Sequence, residues 1–448
     1  MKDRLSTCGI RDDSRAAAHE CAQPDLPVLR AEVEISGVSV LDWFSRQASG
    51  ERFYWASRDG REEVAGFGTT IRIDETQHTT ASEALTAIRN ALDRGPAGLR
   101  YYGGMCFDPH DERPSMKGFG RFAFFIPAVE LRRCGPRTTL AATQVADAGP
   151  FETQLQTLAD DALRASGGEA QNRTVGRVLS RTDTPRRDQW TTMVEQTRAT
   201  MQRQSIGKIV LSRKSELTMS QPLEAGALLA RLQKSGDGSY NFCFEFGRRS
   251  FAGSSPECLY RRSGRDIYTE ALAGTCGVGK TRKETEALRT ELLDSAKEAD
   301  EHRYVFDGIL SKLEHICSRH HVLSEREVLK LSHVQHFVSR FEGHLKDGVD
   351  TAQIIEALHP TAAVGGYPQQ AAVEQIRQIE HHARQWYAGP VGWLGQDADE
   401  FTVGIRSCVI DAATLTLYAG AGIVKASDAA SEWAETEAKM QHFIEALA

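Results

Sequence analysis

The clearest structural signal in the chain is the sequence FYWASRDGREEVAGFG at residues 53–68. Residues 53–57 and 64–68 carry the aromatic, branched and small apolar side chains that are common in β-strands, and Asp59-Gly60 lies between them. An Asp-Gly pair flanked by two such runs is a strong hairpin signal. This segment therefore predicts two antiparallel strands joined by a tight turn.

The same kind of pattern continues on both sides of this hairpin. In the rest of the first 150 residues, a helix is predicted at residues 81–92 and strands at 119–125 and 138–145. Further strands are predicted at 208–213, 242–246, 251–252, 266–272, 401–410 and 415–421, and further helices at 190–201, 283–319 and 428–447. Strands and helices follow one another in runs and do not alternate regularly. The predicted fold class is therefore α+β with mainly antiparallel sheets.

Composition and periodicity divide the chain into four segments. Residues 1–25 are polar and lack periodicity, so we expect a tail without fixed structure. Residues 26–165 form a β-rich part, and residues 166–187, rich in Gly, Arg and Thr, predict a loop. Residues 188–448 contain the segments that point to chemistry.

The overall composition excludes several classes of function. The 448 residues include 54 basic and 61 acidic side chains, a net charge of −7, which argues against binding to nucleic acid or to a membrane surface. No apolar run is long enough to span a bilayer. The nine cysteines form no CxxC pair, so we expect neither a zinc site nor a disulfide framework, and we expect a cytoplasmic location.

Two predicted helical segments each carry glutamates three residues apart. Glu298 and Glu301 share one helix face, and Glu432, Glu435 and Lys439 share another. If the two faces meet, four carboxylates converge and require a cation, for which Mg²⁺ is the natural choice. The alternative is that both are solvated faces with ordinary salt bridges, such as one between Glu435 and Lys439.

Four other segments have features that composition does not require. Lys208 begins an apolar strand, Glu257 follows a strand in the sequence SSPE, and Gly274 lies in TEALAGT. Gly420 and Gly422 belong to a small-residue segment that could offer backbone N–H groups to an anion, although such a segment is also typical of a simple turn.

Taken together, these segments form an ordered series over residues 208–439. The series is KIVLSR, SSPE, TEALAGT, SAKEADEH, HPTAAVGGYP, GIRS, GAGI and EWAETEAK. It resembles the chorismate-utilising enzymes: anthranilate synthase large subunits, aminodeoxychorismate synthases, salicylate synthases and isochorismate synthases. The resemblance implies one large domain of two packed, mainly antiparallel β-sheets flanked by helices, with residues 188–448 as the chorismate-binding catalytic part.

The resemblance also implies an acid–base mechanism. Lys208 matches the lysine that in isochorismate synthases acts, in its neutral form, as general base on the attacking water. Glu257 matches the general acid that protonates the departing C4 hydroxyl, and an apolar wall would raise the pKa of this carboxyl enough to keep it protonated near neutral pH. The hydroxyl then moves from C4 to C2 of the ring with migration of a double bond.

The matching motifs further imply a metal site and a substrate pocket. Glu301 and Glu435 match ligands of Mg²⁺, and Glu298 and Glu432 match the carboxylates that hold its waters. The resemblance implies that the substrate is bound by Gly274, Thr275, His336, Ala363, Tyr387, Arg406, Gly420, Gly422 and Lys439. Considered alone, His336 and Tyr387 could equally be packed core residues, and Lys439 could be a helix partner.

One position distinguishes among members of the family. Aminating and salicylate-forming members usually have threonine where this chain has Ala363, and isochorismate synthases usually have alanine. The hairpin at residues 52–68 is similar to that of menaquinone-type isochorismate synthases. The resemblance therefore implies isochorismate synthesis, feeding menaquinone, without a glutaminase partner. The alternatives are a salicylate synthase, an anthranilate or aminodeoxychorismate synthase subunit, and a non-catalytic chorismate-binding relative.

Overall fold

The fold is described by a computed structural model. It describes residues 27–448 apart from 48–49, 114–115, 117, 147–156, 158–174 and 235–237. The predicted tail at 1–25 and residues 166–174 of the predicted loop lie outside the described residues.

The described residues contain nineteen strands and nine helices. The strands are β1 Val28–Ile35, β2 Arg52–Ala56, β3 Glu62–Asp74, β4 Arg100–Met105, β5 Phe122–Cys134, β6 Arg137–Val145, β7 Val178–Thr184, β8 Lys208–Met219, β9 Tyr240–Phe246, β10 Arg249–Ser255, β11 Cys258–Ser263, β12 Asp266–Gly277, β13 Cys317–Lys330, β14 Val334–Leu345, β15 Gly366–Tyr367, β16 Pro390–Gly395, β17 Ala398–Val403, β18 Ser407–Asp411 and β19 Thr414–Ile423. The helices are α1 Val40–Arg46, α2 Ala81–Arg94, α3 Arg187–Gln204, α4 Ala225–Lys234, α5 Arg282–Asp294, α6 Ala296–Ile316, α7 Thr351–Leu358, α8 Gln369–Ile379 and α9 Ala429–Ala446.

All the strands are joined in one hydrogen-bonded network. Its main path is β13-β14-β12-β11-β17-β16-β4-β5-β3-β2-β9-β10-β18-β19-β8-β7, with β6 and then β1 attached to β5, and β15 attached to β8. Every pairing in the described residues is antiparallel, which confirms the predicted α+β class. Strands of the N-terminal part pair with strands of the C-terminal part, as β2 does with β9 and β4 with β16.

The predicted hairpin is present as β2 and β3. The two strands pair from Arg52 opposite Phe67 to Ala56 opposite Glu63. Successive residues of a strand point to opposite faces, and both faces of β2 are covered, because Phe53 belongs to one apolar cluster and Tyr54 to another. Strand β2 therefore lies in the interior of the protein, where its aromatic side chains join the two parts of the chain.

The long helix predicted over residues 283–319 is wrong in two respects. It is two helices, because Ser295 accepts a hydrogen bond from the backbone N–H of Glu298 and so begins α6 after α5 has ended. Residues 317–319 belong instead to strand β13, since they pair with β14. The break at Ser295 sets the direction of α6 and hence of its glutamates.

Two other predicted elements are divided or replaced. The predicted loop at 166–187 contains β7, an exposed strand that forms by pairing with β8 and buries little apolar surface. The strand predicted at 401–410 is two strands, β17 and β18, separated by a turn in which Arg406 has φ +48°.

No helix in the described part of the chain is both long and apolar enough to cross a membrane. The seven cysteines described by the structure are all free thiols.

Candidate active site

A cavity lies between the two ends of the strand network. Strands β8 and β19 form one wall, and β12 and β14 form the other. Helices α6 and α9 and four loops complete its lining. Ten of the residues singled out from the sequence line this cavity: Glu257, Thr275, Glu301, His336, Ala363, Tyr387, Arg406, Gly420, Gly422 and Lys439.

The other five predicted residues lie directly behind that lining. Lys208 Nζ is 2.9 Å from Glu301 Oε1, and Glu298 accepts a 2.7 Å hydrogen bond from the backbone N–H of Thr275. Gly274 precedes Thr275 with φ +76°, a conformation that favours glycine. Glu435 and Glu432 project from α9, where each forms an ion pair with a lysine.

Gly422 leaves the space in which Lys208 and Glu301 form their ion pair. A Cβ atom at this position would lie 2.3 Å from Glu301 Oε1 and 2.8 Å from Lys208 Cε, so any side chain here would displace the ion pair. Gly422 is opposite Val210 within the β19–β8 ladder. The prediction of a turn at this segment is therefore wrong, because its small residues belong to a strand and make room for the ion pair. Binding of the substrate by Gly420 and Gly422 stays a prediction.

Glu257 is a buried carboxyl with few polar neighbours. Its exposed fraction is 1%, and burial raises its pKa to about 8. The nearby Glu270 carboxylate adds to the rise, whereas the Thr361 hydroxyl, 3.3 Å away, and the Lys208 amine oppose it. Glu257 is therefore protonated at neutral pH and is able to donate a proton.

Three of the four glutamates that the sequence analysis singled out on α6 and α9 are buried. These are Glu298, Glu301 and Glu432, whereas Glu435 is partly exposed. The ammonium group of Lys297, which the sequence analysis did not single out, joins the two helices, because its Nζ lies 2.9 Å from Glu432 and 3.3 Å from Glu298. A lysine next to a glutamate in SAKEADEH was the only sequence signal for this contact.

The carboxylates of this cluster change one another's proton affinity. Burial and the neighbouring Glu301 carboxylate raise the pKa of Glu298, and burial and Glu435 raise the pKa of Glu432 to about 7. Burial opposes ionisation of Glu301 as well, but the Lys208 ammonium outweighs it and lowers the pKa of Glu301.

Each of the four carboxylates in this cluster is paired with a lysine. Among the described residues, no three carboxylate, histidine or cysteine side chains are grouped so as to hold a metal ion. Instead Lys208, Lys297 and Lys439 lie against the acidic groups.

The wall opposite Lys208 combines a neutral histidine with an arginine. His336 Nδ1 is 3.0 Å from Thr275 Oγ1, and His336 Nε2 is 3.5 Å from Arg406 Nη2. Burial and the Arg406 charge hold the pKa of His336 well below its usual value, so the imidazole is neutral. Tyr387 stacks on Tyr418, another cavity residue that the sequence analysis missed, with ring centroids 5.2 Å apart.

Comparison with known proteins agrees with this architecture. The sequence model of the family described as "Chorismate binding enzyme" matches residues 15–448. The chain belongs to this family. Isochorismate synthase MenF of Bacillus subtilis is 29% identical to it over 98% of this chain and 97% of its own, and the chloroplastic isochorismate synthase 2 of Arabidopsis thaliana is 34% identical over 86% of this chain and 70% of its own.

Two solved structures resemble this chorismate-binding enzyme along most of their length. The menaquinone-specific isochorismate synthase MenF of Escherichia coli has a TM-score of 0.79 at 29% identity, covering 94% of this chain and 95% of that one. Anthranilate synthase component I of Streptococcus pneumoniae has a TM-score of 0.72 at 20% identity, covering 86% and 92%, a likeness of fold alone. These likenesses confirm the predicted architecture of sheets flanked by helices.

The raised pKa of Glu257 predicts how stability depends on pH. A carboxyl whose pKa is higher in the folded than in the unfolded state contributes stability at low pH that is lost as pH rises through the folded pKa. Glu257→Gln, which does not titrate, should therefore gain stability relative to the wild type between about pH 4.5 and 8, by about 1.4 kcal/mol per pH unit at most. Urea unfolding of both proteins at pH 5, 6.5, 8 and 9 measures this difference.

The control for this experiment is Glu445→Gln, which changes an exposed carboxylate on α9. Its stability relative to the wild type should be nearly independent of pH. A difference for Glu257→Gln that is equally flat would contradict the raised pKa.

Proposed function

We propose that this chorismate-binding enzyme is an isochorismate synthase. It would isomerise chorismate to isochorismate with Mg²⁺, by adding water at C2 and removing the C4 hydroxyl, and would supply menaquinone biosynthesis. The observation that carries this proposal is that a protonated carboxyl, Glu257, lines the cavity and that a buried amine, Lys208, lies directly behind the cavity lining at Glu301. The isochorismate synthases to which the chain is similar support the same assignment.

The two groups account for both proton transfers of the reaction. Lys208 forms an ion pair with Glu301 in the structure and would act as the base in its neutral form. It would then take a proton from water as the oxygen forms a bond to C2, and the ring double bond shifts. The C4–O bond breaks, and Glu257 gives its proton to the departing hydroxyl, which leaves as water. One water enters and one leaves, so the product is an isomer of the substrate. Lys208 ends with one more proton and Glu257 with one fewer, and exchange with solvent restores both.

The cavity also offers charge that suits a dianion. Chorismate carries two carboxylates, and Arg406 and Lys439 line the cavity of a protein whose net charge is −7. Arg406 would bind the enolpyruvyl carboxylate together with Tyr387. The adjacent His336 is neutral, so it would act as a hydrogen-bonding partner and not as an additional cation.

The neighbouring glutamates of α6 and α9 would suit a hard divalent cation, which would compete with the lysines that lie against them. The pKa of Glu298 and the pKa of Glu432 are raised partly because other carboxylates lie beside them, and a cation with oxygen ligands relieves such repulsion. Glu301 and Glu435 would hold the metal directly, and Glu298 and Glu432 would hold its waters. When bound, Mg²⁺ would neutralise and orient the ring carboxylate of the substrate.

Ala363 favours water as the nucleophile and isochorismate as the final product. It lines the cavity with a methyl group, so the position has no hydroxyl group to hold ammonia or to redirect the product. We therefore expect neither a glutaminase partner nor elimination of pyruvate. We also expect the enzyme to act in the cytoplasm.

The first experiment identifies the product. Purified enzyme incubated with chorismate and Mg²⁺ should give isochorismate, separated by liquid chromatography and identified by mass and absorption spectrum. Addition of ammonium should not change the product. Salicylate with pyruvate, or an aminated product, would assign the enzyme to another branch of the family, and no product at all would favour a binding-only relative.

The second experiment removes the base. Lys208→Ala should lower kcat at least about a hundredfold, because a general base contributes on the order of 10²–10⁴ to the rate. Lys214→Ala on the same strand is the control, since Lys214 is partly exposed and pairs with Glu216, whereas Lys208 is fully buried against Glu301. A Lys208→Ala variant with native circular dichroism and more than a tenth of wild-type kcat would contradict the assigned role.

The third experiment concerns the metal. Treatment with EDTA should abolish turnover, and Mg²⁺ should restore it. Glu301→Gln and Glu435→Gln should raise the Mg²⁺ concentration needed for half-maximal rate by about tenfold or more, in line with the loss of a charged ligand. Glu445→Gln, on the same helix as Glu435 but exposed, should leave this concentration unchanged. Full activity in metal-free buffer would refute the metal site.

A further inference from the structure

The turn of the β2–β3 hairpin reaches the active site from the N-terminal part of the chain. The turn is held rigidly: Ser57 Oγ donates to Asp59 at 2.8 Å, the Gly60 N–H donates to the Ser57 carbonyl at 3.0 Å, and Gly60 has φ +67°. Between them, Arg58 points toward the loop that carries Glu257. The hairpin is thus a rigid support for one side chain.

Arg58 binds two partners from the catalytic part. Its Nη1 and Nη2 donate to the two carboxylate oxygens of Glu270 at 2.7 and 2.5 Å, and Nη1 also donates to the carbonyl of Pro256 at 3.0 Å. The Glu270 side chain is fully buried and also accepts a hydrogen bond from the Tyr268 hydroxyl at 2.5 Å. Arg340 Nε is a more distant cation at 3.8 Å.

The contact with Pro256 acts on the peptide unit that leads into Glu257. The Pro256 carbonyl and the Glu257 N–H belong to one planar peptide, so a bond to the carbonyl fixes the orientation of the whole unit. On the other side, the Glu257 carbonyl accepts from Thr402 Oγ1 at 2.6 Å and from the Val403 N–H at 3.2 Å. The backbone around Glu257 is therefore hydrogen-bonded on both sides, and Arg58 donates the bond to the Pro256 carbonyl.

We propose that Arg58 is a positioning residue for the acid of the reaction, because its guanidinium joins the Pro256 carbonyl to the buried Glu270 carboxylate and so aims Glu257 into the cavity. This inference rests on the proposed function. The planar, bidentate geometry requires arginine, since a lysine ammonium is a point charge that does not match both carboxylate oxygens and a carbonyl together.

The Glu270 carboxylate also acts on Glu257 through its charge. The charged groups that face Glu257 are Lys208 from β8, Lys439 from α9 and Glu270 from β12; Tyr387 lies near it too. Of these, Glu270 raises the pKa of Glu257, and the two lysines lower it. Removal of the Glu270 charge should therefore lower the pKa of Glu257, so that the acid loses its proton at a lower pH.

The test compares Arg58→Ala, Arg58→Lys and Arg61→Ala. Arg61 lies in the same turn, is exposed and pairs only loosely with Asp59 at 3.5 Å, so its variant should behave as the wild type. Arg58→Ala should lower kcat about tenfold or more with KM within about twofold, since a misplaced acid slows chemistry more than binding. Arg58→Lys should recover part of the loss.

The pH profile of Glu270→Gln distinguishes the proposed role from a purely structural one. This variant keeps an oxygen for Arg58 but removes the charge that acts on Glu257. Its alkaline limb of kcat should move to lower pH relative to the wild type. A kcat for Arg58→Ala within about twofold of wild type, or an unmoved limb in Glu270→Gln, would overturn the inference.

The product that the wild-type enzyme forms tells a failure of this inference from a failure of the proposed function. If the wild type converts chorismate to another product, the proposed function fails, and the variants are then compared on that product. If the wild type makes isochorismate and the variants match it in kcat and pH profile, only the role of Arg58 fails.

Discussion

The buried ion pair of Lys208 and Glu301 sets a condition that the surrounding structure has to meet. Taking two charges out of water costs several kcal/mol per ion, and only a close opposite charge offsets this. The 2.9 Å contact therefore ties the start of β8 to the first turns of α6. Gly422 has no side chain because the pair occupies the space beside it, and Ser295 must begin α6 where it does for Glu301 to reach the lysine.

Arginines paired with buried carboxylates also connect segments that are distant in sequence. Arg384 pairs with Glu380 and donates to the carbonyls of Val364 and Val210 at 2.7 and 2.6 Å, which holds the Ala363 loop against β8. Arg58 and Glu270 do the same between the hairpin and the Glu257 loop. An acidic protein thus uses arginines paired with buried carboxylates to fix the geometry around its cavity, because a guanidinium can satisfy a carboxylate and a carbonyl at once.

Much of the fold and the site was predictable from local pattern. The hairpin followed from Asp59-Gly60, and the glutamate faces of α6 and α9 followed from helical spacing. The break at Ser295 was missed although a serine three residues before a glutamate is a capping pattern, because the charged run on both sides looked continuous. The contacts of Lys297 with Glu432 and of Arg58 with Glu270 could not be predicted, since the partners lie more than a hundred residues apart.

By itself the sequence determined the antiparallel class, the hairpin, the helices that carry the glutamates and, through ordered motifs, the family. These depend on neighbouring residues, whose periodicity and turn chemistry act over a few positions. Only the tertiary structure decided that the GAGI segment is a strand, that Glu257 is protonated and that lysines lie against the carboxylates. Those properties arise from burial and from charges brought close by chain folding, and no local pattern encodes the dielectric environment of a side chain.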